Sequence, residues 1–201
     1  MGVSAFILAG GRSTRMGRDK AFVPWDGRTL LERALEVAAW IAPGARVVGP
    51  KEAYAAYAGV LEDIYPGRGP LGGIHAALEA TSSPVNVFLA VDLPRVTKNL
   101  LLYLVERYMA ERERNTGLLA AVPRLAAGWE PLCAVYSKDF AMVADQALRE
   151  GRNAIHPLLE GPRVLAVTEE ELAEAGFSAQ MFRNINTIMD LEASSGCPTT
   201  P

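Results

Sequence analysis

The stretch with the clearest chemical content is FILAGGRSTRMGRDKAF, residues 6–22. Gly10 and Gly11 carry no side chains, so a ligand can approach the backbone closely and the N–H groups can face an anion. Basic side chains surround these glycines, namely Arg12, Arg15, Arg18 and Lys20. The alternative is a glycine turn with solvated arginines. Because the loop directly follows a predicted leading strand, we interpret it as a phosphate-binding loop.

The common nucleotide motifs do not describe this loop. A P-loop needs G-x-x-x-x-G-K-[ST], but Arg18 and Asp19 follow Gly17, and Ala21 follows Lys20. The dinucleotide fingerprint needs G-x-G-x-x-G, which the spacing GGRSTRMG does not match. The sequence therefore predicts a phosphate loop of a third kind.

Asp92 in VFLAVDLP is a candidate metal ligand. It directly follows a nearly all-apolar run, and Pro94 stiffens the turn after it. Magnesium in phosphate sites is typically held by one or two carboxylates together with the phosphates of the substrate. An Asx-type turn that caps local backbone is the alternative. A phosphate loop at the same edge of the sheet favours the metal ligand.

A second carboxylate, Asp63, precedes the glycine-rich stretch YPGRGPLGG. A helix is predicted to begin within this stretch, and a helix N-terminus suits a ligand that lies against it. A carboxylate can accept hydrogen bonds from N1–H and the N2 amine of guanine, whereas cytosine lacks that paired donor edge. A surface turn beside a solvated Asp63 is the alternative.

Hydrophobic patterning predicts how these loops are positioned. Apolar runs predict strands at 3–8, 46–48, 60–64, 85–91, 118–123, 131–136 and 163–168, and helical spacing predicts helices at 29–41, 51–58, 74–80, 100–113 and 138–149. The alternation predicts an α/β fold with a mostly parallel sheet and helices on both faces. Since ligands sit at the carboxyl ends of parallel strands, all three loops should meet there.

Composition sets the broader limits. The chain has 201 residues, half of them hydrophobic, and a formal net charge of -3, so it has no overall bias towards nucleic acid. We expect a single domain over residues 1–193 and a frayed tail over 194–201. Nothing resembles a signal peptide or a membrane span, so a cytoplasmic location is expected. The two cysteines, Cys133 and Cys197, show no metal-binding spacing.

Taken together, these residues resemble one family. LAGGRSTRMGRDK is similar to the signature loop of the molybdenum cofactor guanylyltransferases, the MobA proteins. GPLGGI, VDLP, WEPLCAVY and FRNINTIMDL resemble further blocks of that family in the same order. The resemblance extends from residue 6 to residue 191. Wider nucleotidyltransferases share a version of the loop, but the doubled glycine with D-K, GPLGGI and N-x-N-T is more specific.

The resemblance implies a reaction and a fold. The reaction is transfer of GMP from Mg-GTP to the phosphate of molybdenum-molybdopterin, which yields a guanine dinucleotide cofactor and pyrophosphate. The implied fold is a three-layer nucleotide-binding sandwich like that of the nucleotide-diphospho-sugar transferases. Apo-molybdoenzymes that receive the cofactor, and their chaperones, are the implied protein partners.

The resemblance also implies residue roles. Leu8, Ala9, Gly10 and Gly11 would contact the nucleotide. Arg15 and Lys20 would act on the GTP phosphates as catalytic groups. Asp63 would belong to the nucleotide site, and Asp92 would be both a catalytic residue and the Mg²⁺ ligand. Asn184 and Asn186 would bind the pterin substrate.

Two positions depart from the family pattern. Gly49 stands where an asparagine that contacts the nucleotide is usual, and Ile188 stands where proline is usual. The first change removes one expected contact with the base. Two alternatives stay open: a related transferase that uses CTP on molybdopterin or another phosphorylated acceptor, and a catalytically silent nucleotide-binding module. The presence of Lys20 and Asp92 argues against the silent module.

Overall fold

The structure is a computed structural model in which residues 2–10 and 19–185 are described. Its main sheet has eight strands in the spatial order β10-β7-β9-β6-β1-β4-β5, with β8 paired to β7. These strands are β1 (Val3–Leu8), β4 (Arg46–Val48), β5 (Val60–Leu61), β6 (Val85–Ala90), β7 (Ala120–Leu125), β8 (Gly128–Trp129), β9 (Cys133–Ser137) and β10 (Val164–Thr168). A separate two-stranded hairpin joins β2 (Pro24–Trp25) and β3 (Arg28–Thr29).

The sheet is mixed but mostly parallel. Strand β1 runs parallel to both β4 and β6, β4 is parallel to β5, and β7 is parallel to β10. Strand β9 is antiparallel to both of its neighbours, β6 and β7. Only a short segment containing β8 joins β7 to β9, and a parallel pair would need a crossover of a dozen or more residues. The antiparallel strand is therefore a consequence of connection length.

Helices cover both faces of the sheet. They are α1 (Leu30–Ala39), α2 (Lys51–Tyr54), α3 (Pro70–Glu79), α4 (Lys98–Arg114), α5 (Phe140–Arg149) and α6 (Glu169–Glu174). One buried cluster contains side chains of α1, α4 and α6, and a second contains side chains of α3 and α5. Alternate residues of β1 divide between them, with Ile7 in the first and Phe6 in the second. The three-layer α/β fold expected from the sequence is confirmed.

Several predicted elements differ in extent. The helix expected at 51–58 ends at Tyr54, and the strand expected at 60–64 ends at Leu61. Helix α3 begins at Pro70 instead of residue 74, because Gly69 adopts a φ of 67° and Pro70 is suited to the first helical turn. The predicted tail at 194–201 lies outside the described residues.

Sequence reasoning missed the β2–β3 hairpin, strand β8 and helix α6. The hairpin had a local signal, because Asp26 and Gly27 form an Asp-Gly pair, and both have positive φ, at 49° and 79°. Within the described residues, no helix is both long and apolar enough to cross a bilayer.

Candidate functional site

The candidate site begins where β1 ends between its two parallel neighbours. Leu8 pairs with Val48 of β4 and with Ala90 of β6. Beyond the strand, the N–H of Ala9 donates to the carbonyl of Val48 at 3.0 Å, and the N–H of Val91 donates to the carbonyl of Leu8 at 3.1 Å. These bonds fix Leu8 and Ala9, and with them the start of the expected nucleotide-binding segment that continues to Gly10, at the carboxyl edge of the sheet.

Lys20 and Asp92 meet at this edge. The ammonium Nζ of Lys20 donates to Oδ2 of Asp92 at 2.8 Å, and 13% and 24% of the two side chains remain exposed. Lys20 opens a single 3-10 turn, which Asp19 caps by accepting the N–H of Ala21. The two groups that the sequence assigned to phosphates and metal are therefore adjacent, partly buried and within reach of a ligand.

Asp63 lies beyond the end of β5, against the N-terminus of α3. A Cβ added at Gly73 would lie 3.5 Å from Oδ1 of Asp63, 3.2 Å from Cγ1 of Val48 and 3.3 Å from Cδ2 of Leu8. Because Gly73 has no side chain, the N-terminus of α3 can pack closely against the sheet. Burial raises the pKa of Asp63 above its ordinary value, and no hydrogen-bond donor contacts its carboxylate within the described ranges. A ligand with paired donors could satisfy this carboxylate.

The block FRNINTIMDL, residues 182–191, begins at the same edge of the sheet. The N–H of Ile185 donates to the carbonyl of Asp92 at 3.0 Å. Its neighbour Asn184, an expected pterin contact, is exposed beside the site. Three other expected site residues, Gly11, Arg15 and Asn186, lie outside the described residues.

Tyr54 is a site residue that sequence reasoning missed. Its hydroxyl lies 2.8 Å from the carbonyl oxygen of Ala9 and 2.7 Å from Oδ2 of Asp19. A Cβ added at Gly49 would lie only 2.7 Å from the Tyr54 ring, at Cε2. The tyrosine ring therefore occupies the space next to the position where the family usually has asparagine. The sequence held one signal for Tyr54: it is a tyrosine in an otherwise alanine-rich segment and lies five residues after Gly49.

Glu130 is a second missed residue. Its carbonyl accepts the N–H of Cys133 at 3.2 Å, so the chain turns just before β9, and β9 pairs with β6 up to Leu89. This turn lies at the end of β9 that adjoins the carboxyl end of β6. Burial and the charge of Asp92 raise the pKa of Glu130 to about 7. The signal was a charged residue at the start of an apolar strand.

These donors suit a cation that is shared with a ligand. Among residues 2–10 and 19–185, no group of three or more histidine, cysteine, aspartate or glutamate side chains could hold a metal by itself. Asp92 supplies hard carboxylate oxygens. Glu130 is a second nearby carboxylate, because the charge of Asp92 contributes to its raised pKa. That set fits Mg²⁺, which in phosphate sites takes one or two carboxylates and completes its shell with phosphates and water.

A mostly parallel sheet with helices on both faces and a lysine–aspartate pair at its carboxyl edge defines a nucleotide-binding α/β protein. Residues 5–178 match the family model described as the MobA-like NTP transferase domain. The match covers most of the chain, so the chain belongs to that family of nucleotidyltransferases.

Individual relatives agree along nearly the whole chain. A protein of Pelotomaculum thermopropionicum named probable molybdenum cofactor guanylyltransferase is 33% identical over 187 residues, covering 92% of this chain and 88% of that protein. The molybdenum cofactor guanylyltransferase of Syntrophotalea carbinolica is 31% identical over 94% of this chain and 89% of its own length. The crystal structure of molybdopterin-guanine dinucleotide biosynthesis protein A from Archaeoglobus fulgidus superposes with a TM-score of 0.77 at 29% identity, over 94% and 95% of the two chains.

Proposed function

We propose that this chain is a molybdenum cofactor guanylyltransferase, which transfers GMP from Mg-GTP to the phosphate of molybdenum-molybdopterin. The observation that carries the proposal is the Lys20–Asp92 pair at the carboxyl edge of β1 and β6. It occurs in a chain whose relatives with that name match it along nearly its full length. The products are the guanine dinucleotide form of the cofactor and pyrophosphate.

The reaction needs charge neutralisation and alignment more than proton transfer. An oxygen of the pterin phosphate attacks the α-phosphorus of GTP, a new P–O bond forms, and the bond from the α-phosphorus to the bridging oxygen breaks. The bonding electrons leave with pyrophosphate. Because the attacking phosphate is already anionic, no general base is required. Lys20, together with Arg15, is assigned to the charge that develops on the leaving pyrophosphate.

Asp92 is assigned as the protein ligand of Mg²⁺. Bound Mg²⁺ would neutralise phosphate charge and orient the triphosphate. The contact between Asp92 and Lys20 keeps both groups at the edge and gives each a partner of opposite charge, which lowers the cost of their partial burial. Glu130 adds a carboxyl group near Asp92; burial raises the pKa of Glu130, and the negative charge of Asp92 raises it further.

Recognition of the guanine base is assigned to the end of β1 and to Asp63. Leu8, Ala9, Gly10 and Gly11 would present backbone to the nucleotide. Asp63 is half-buried beside the N-terminus of α3, and its desolvated carboxylate could accept both N1–H and the N2 amine of guanine. This pairing favours GTP over CTP although Gly49 removes one expected side-chain contact.

The pterin substrate is assigned to the side of the site where residues 184 and 185 lie beside Asp92. The hydrogen bond from the N–H of Ile185 to the carbonyl of Asp92 brings the exposed Asn184, the preceding residue, close to Asp92. Asn186 is the residue after Ile185. Side-chain amides both donate and accept, which suits the mixed edge of a pterin. Transfer of the product to apo-molybdoenzymes or their chaperones, and the cytoplasmic location, stay predictions from the sequence.

Calorimetric titration with GTP, CTP and ATP, each with and without Mg²⁺, tests this assignment. Tight binding of Mg-GTP with much weaker binding of the other two supports it. Preference for CTP would keep the nucleotidyl-transfer chemistry and change the product. Mg-GTP binding without any turnover on the pterin substrate would instead favour the silent nucleotide-binding module.

A further inference from the structure

The hydroxyl group of Tyr54 lies between the first and the last residues of the signature loop, residues 8–20. It lies 2.8 Å from the carbonyl oxygen of Ala9 and 2.7 Å from Oδ2 of Asp19. Ala9 ends the segment that follows β1, and Asp19 is the residue before Lys20. The side chain of Tyr54 is 1% exposed, so water competes poorly for either contact.

Asp19 transmits this contact to Lys20. While Oδ2 faces Tyr54, Oδ1 accepts the N–H of Ala21 at 3.0 Å and so caps the 3-10 turn that Lys20 opens. The same turn is closed by the N–H of Val23, which donates to the carbonyl of Lys20 at 3.1 Å. The orientation of the turn, and with it the lysine stem, therefore depends on where the Asp19 carboxylate is held.

The hydroxyl of Tyr54 is a permanent donor. Burial and the adjacent Asp19 carboxylate raise the pKa of Tyr54 far above its ordinary value, so the phenol keeps its proton. Its single proton can be donated to either of the two oxygens, both of which can only accept. A charge-assisted bond to Asp19 is the stronger of the two.

Gly49 makes room for this arrangement. A Cβ at position 49 would lie 2.7 Å from Cε2 and 3.2 Å from Cδ2 of Tyr54, closer than ordinary packing allows. The Tyr54 ring also packs with Phe22, the last residue of the 3-10 turn, with ring centroids 5.9 Å apart. A side chain at position 49 would therefore push Tyr54 from the segments that it joins.

We propose that Tyr54 is a positioning residue that orients Lys20 through Asp19, and that Gly49 and Tyr54 form one unit in which the position of the Tyr54 ring requires glycine at position 49. The role given to Lys20 rests on the proposed function, whereas the fixation of the 19–23 segment by Tyr54 does not. The glycine at position 49 then has a structural role at this edge of the site, in addition to removing one expected side-chain contact with the nucleotide.

Amide hydrogen exchange, followed by NMR in the absence of nucleotide, tests the fixation directly. Tyr54→Phe removes only the hydroxyl. Tyr57→Phe is the matched control, because the Tyr57 ring also packs on Phe22, at 5.5 Å, and 45% of Tyr57 is exposed. We expect the amide of Ala21 to exchange about tenfold faster or more in Tyr54→Phe, relative to Phe88 in the central strand, and to be unchanged in Tyr57→Phe. Equal exchange in both variants would overturn the proposal.

Steady-state kinetics tests the positioning of Lys20. Tyr54→Phe should lower kcat/KM for Mg-GTP about tenfold to a hundredfold and leave the KM of the pterin acceptor unchanged, a split that general destabilisation would not produce. Asp19→Asn should act in the same direction, since a neutral amide replaces the charge-assisted hydrogen bond between Tyr54 and the carboxylate with a weaker one. Faster exchange at Ala21 with normal kcat/KM would refute the link to Lys20. If the wild-type protein transfers nothing from GTP, the proposed function fails, and the exchange experiment still decides whether Tyr54 fixes the segment.

Gly49→Ala tests the proposed unit. We expect it to reproduce the exchange and kinetic effects of Tyr54→Phe, because the new methyl group displaces the ring. The double variant Gly49→Ala/Tyr54→Leu should be no worse than Tyr54→Leu alone, since the smaller side chain removes the clash. Additive losses in the double variant would show that Gly49 acts independently of Tyr54.

Discussion

The ammonium of Lys20 and the carboxylate of Asp92 lie 2.8 Å apart although 72 positions separate them in the sequence. Lys20 ends the signature loop and opens a 3-10 turn, and Asp92 follows the central strand β6. The parallel register of β1 and β6 brings these two loops to one edge of the sheet. The fold itself thus places the ammonium of Lys20 beside the carboxylate that we propose as the Mg²⁺ ligand, before any substrate binds.

Replacement of Asp92 by asparagine should abolish most Mg²⁺-dependent transfer. We expect a loss in kcat on the order of 10²–10³-fold, because the carboxylate charge that holds the cation is removed. Thermal unfolding should change little, since the ion pair is partly solvated. Glu36→Gln, which breaks the exposed Arg28–Glu36 pair, is the control and should be normal in both assays. Near-normal transfer by Asp92→Asn would remove Asp92 from the metal role.

Replacement of Lys20 by methionine should weaken binding of GTP. Methionine keeps the apolar stem and removes the charge, so the dissociation constant of Mg-GTP should rise about tenfold to a hundredfold, with unchanged affinity for the pterin substrate. Lys51→Met, on the exposed start of α2, is the matched control. A selective loss of pterin affinity would show that the triphosphate lies elsewhere.

Asp63→Asn should reduce the preference for guanine. An asparagine would present an amide donor to a base edge made of donors, so Mg-GTP should bind about tenfold more weakly or worse while the affinity for CTP changes little. Competition calorimetry with both nucleotides measures the ratio. Glu62→Gln, an exposed change at the neighbouring position, controls for lost negative charge. An unaltered ratio of the two affinities would place base recognition away from Asp63.

Asn186→Ala should impair use of the acceptor and spare the nucleotide. Asn184, two residues earlier, is exposed beside Asp92, and we expect its alanine variant to act in the same direction. Each variant should raise the KM of the pterin substrate several-fold at unchanged affinity for Mg-GTP. Asn99→Ala on the exposed side of α4 is the control. Loss of GTP affinity alone would contradict the assignment of these amides to the pterin.

Glu130 should make the metal-free protein more stable at mildly acidic pH. Its folded-state pKa is raised from 4.5 to about 7, so its favourable contribution to the free energy of unfolding is complete below pH 4.5 and is lost as the pH rises through 7. Glu130→Gln should therefore be more stable than the wild type at pH 8, by about 1 kcal/mol after allowance for partial exposure, and not at pH 4.5.

Urea titrations in the presence of a chelator, at several pH values, measure this difference. Glu52→Gln, on the exposed surface of α2, provides the comparison and should show the same pH dependence as the wild type. A constant difference between Glu130→Gln and the wild type from pH 4.5 to pH 8 would mean that the Glu130 carboxyl group is not desolvated.

Much of the fold was predictable because its signals are local. The apolar run at 85–91 and the helical spacing at 29–41 predicted β6 and α1, which the structure places at Val85–Ala90 and Leu30–Ala39. The antiparallel β9 could not be predicted from patterning, because its direction depends on the length of a connection that contains the unrecognised strand β8. The early end of α2 was missed because alanine favours a helix locally, whereas Tyr54 packs into the site.

The candidate site was predictable where charged side chains come shortly after a predicted strand in the sequence. Lys20 and Asp92 were selected by type and position, and the structure brings them together. Tyr54 and Glu130 were not selected, because their importance comes from long-range contacts with Asp19 and Asp92 that no local pattern encodes. From the sequence, Gly49 was recognised only as a departure from the family pattern. The structure gives a physical reason for the glycine, because the Tyr54 ring occupies the space that a side chain would need.

The most direct test of the central claim follows the fate of labelled phosphate. Purified protein is incubated with molybdenum-molybdopterin, Mg²⁺ and GTP labelled at either the α- or the γ-phosphate, with parallel reactions that contain CTP. We expect the α-label to enter a pterin dinucleotide and the γ-label to appear in pyrophosphate, with GTP and not with CTP, and we expect Asp92→Asn to prevent both. Incorporation from CTP alone, or release of the γ-label as free phosphate without a labelled dinucleotide, would contradict it.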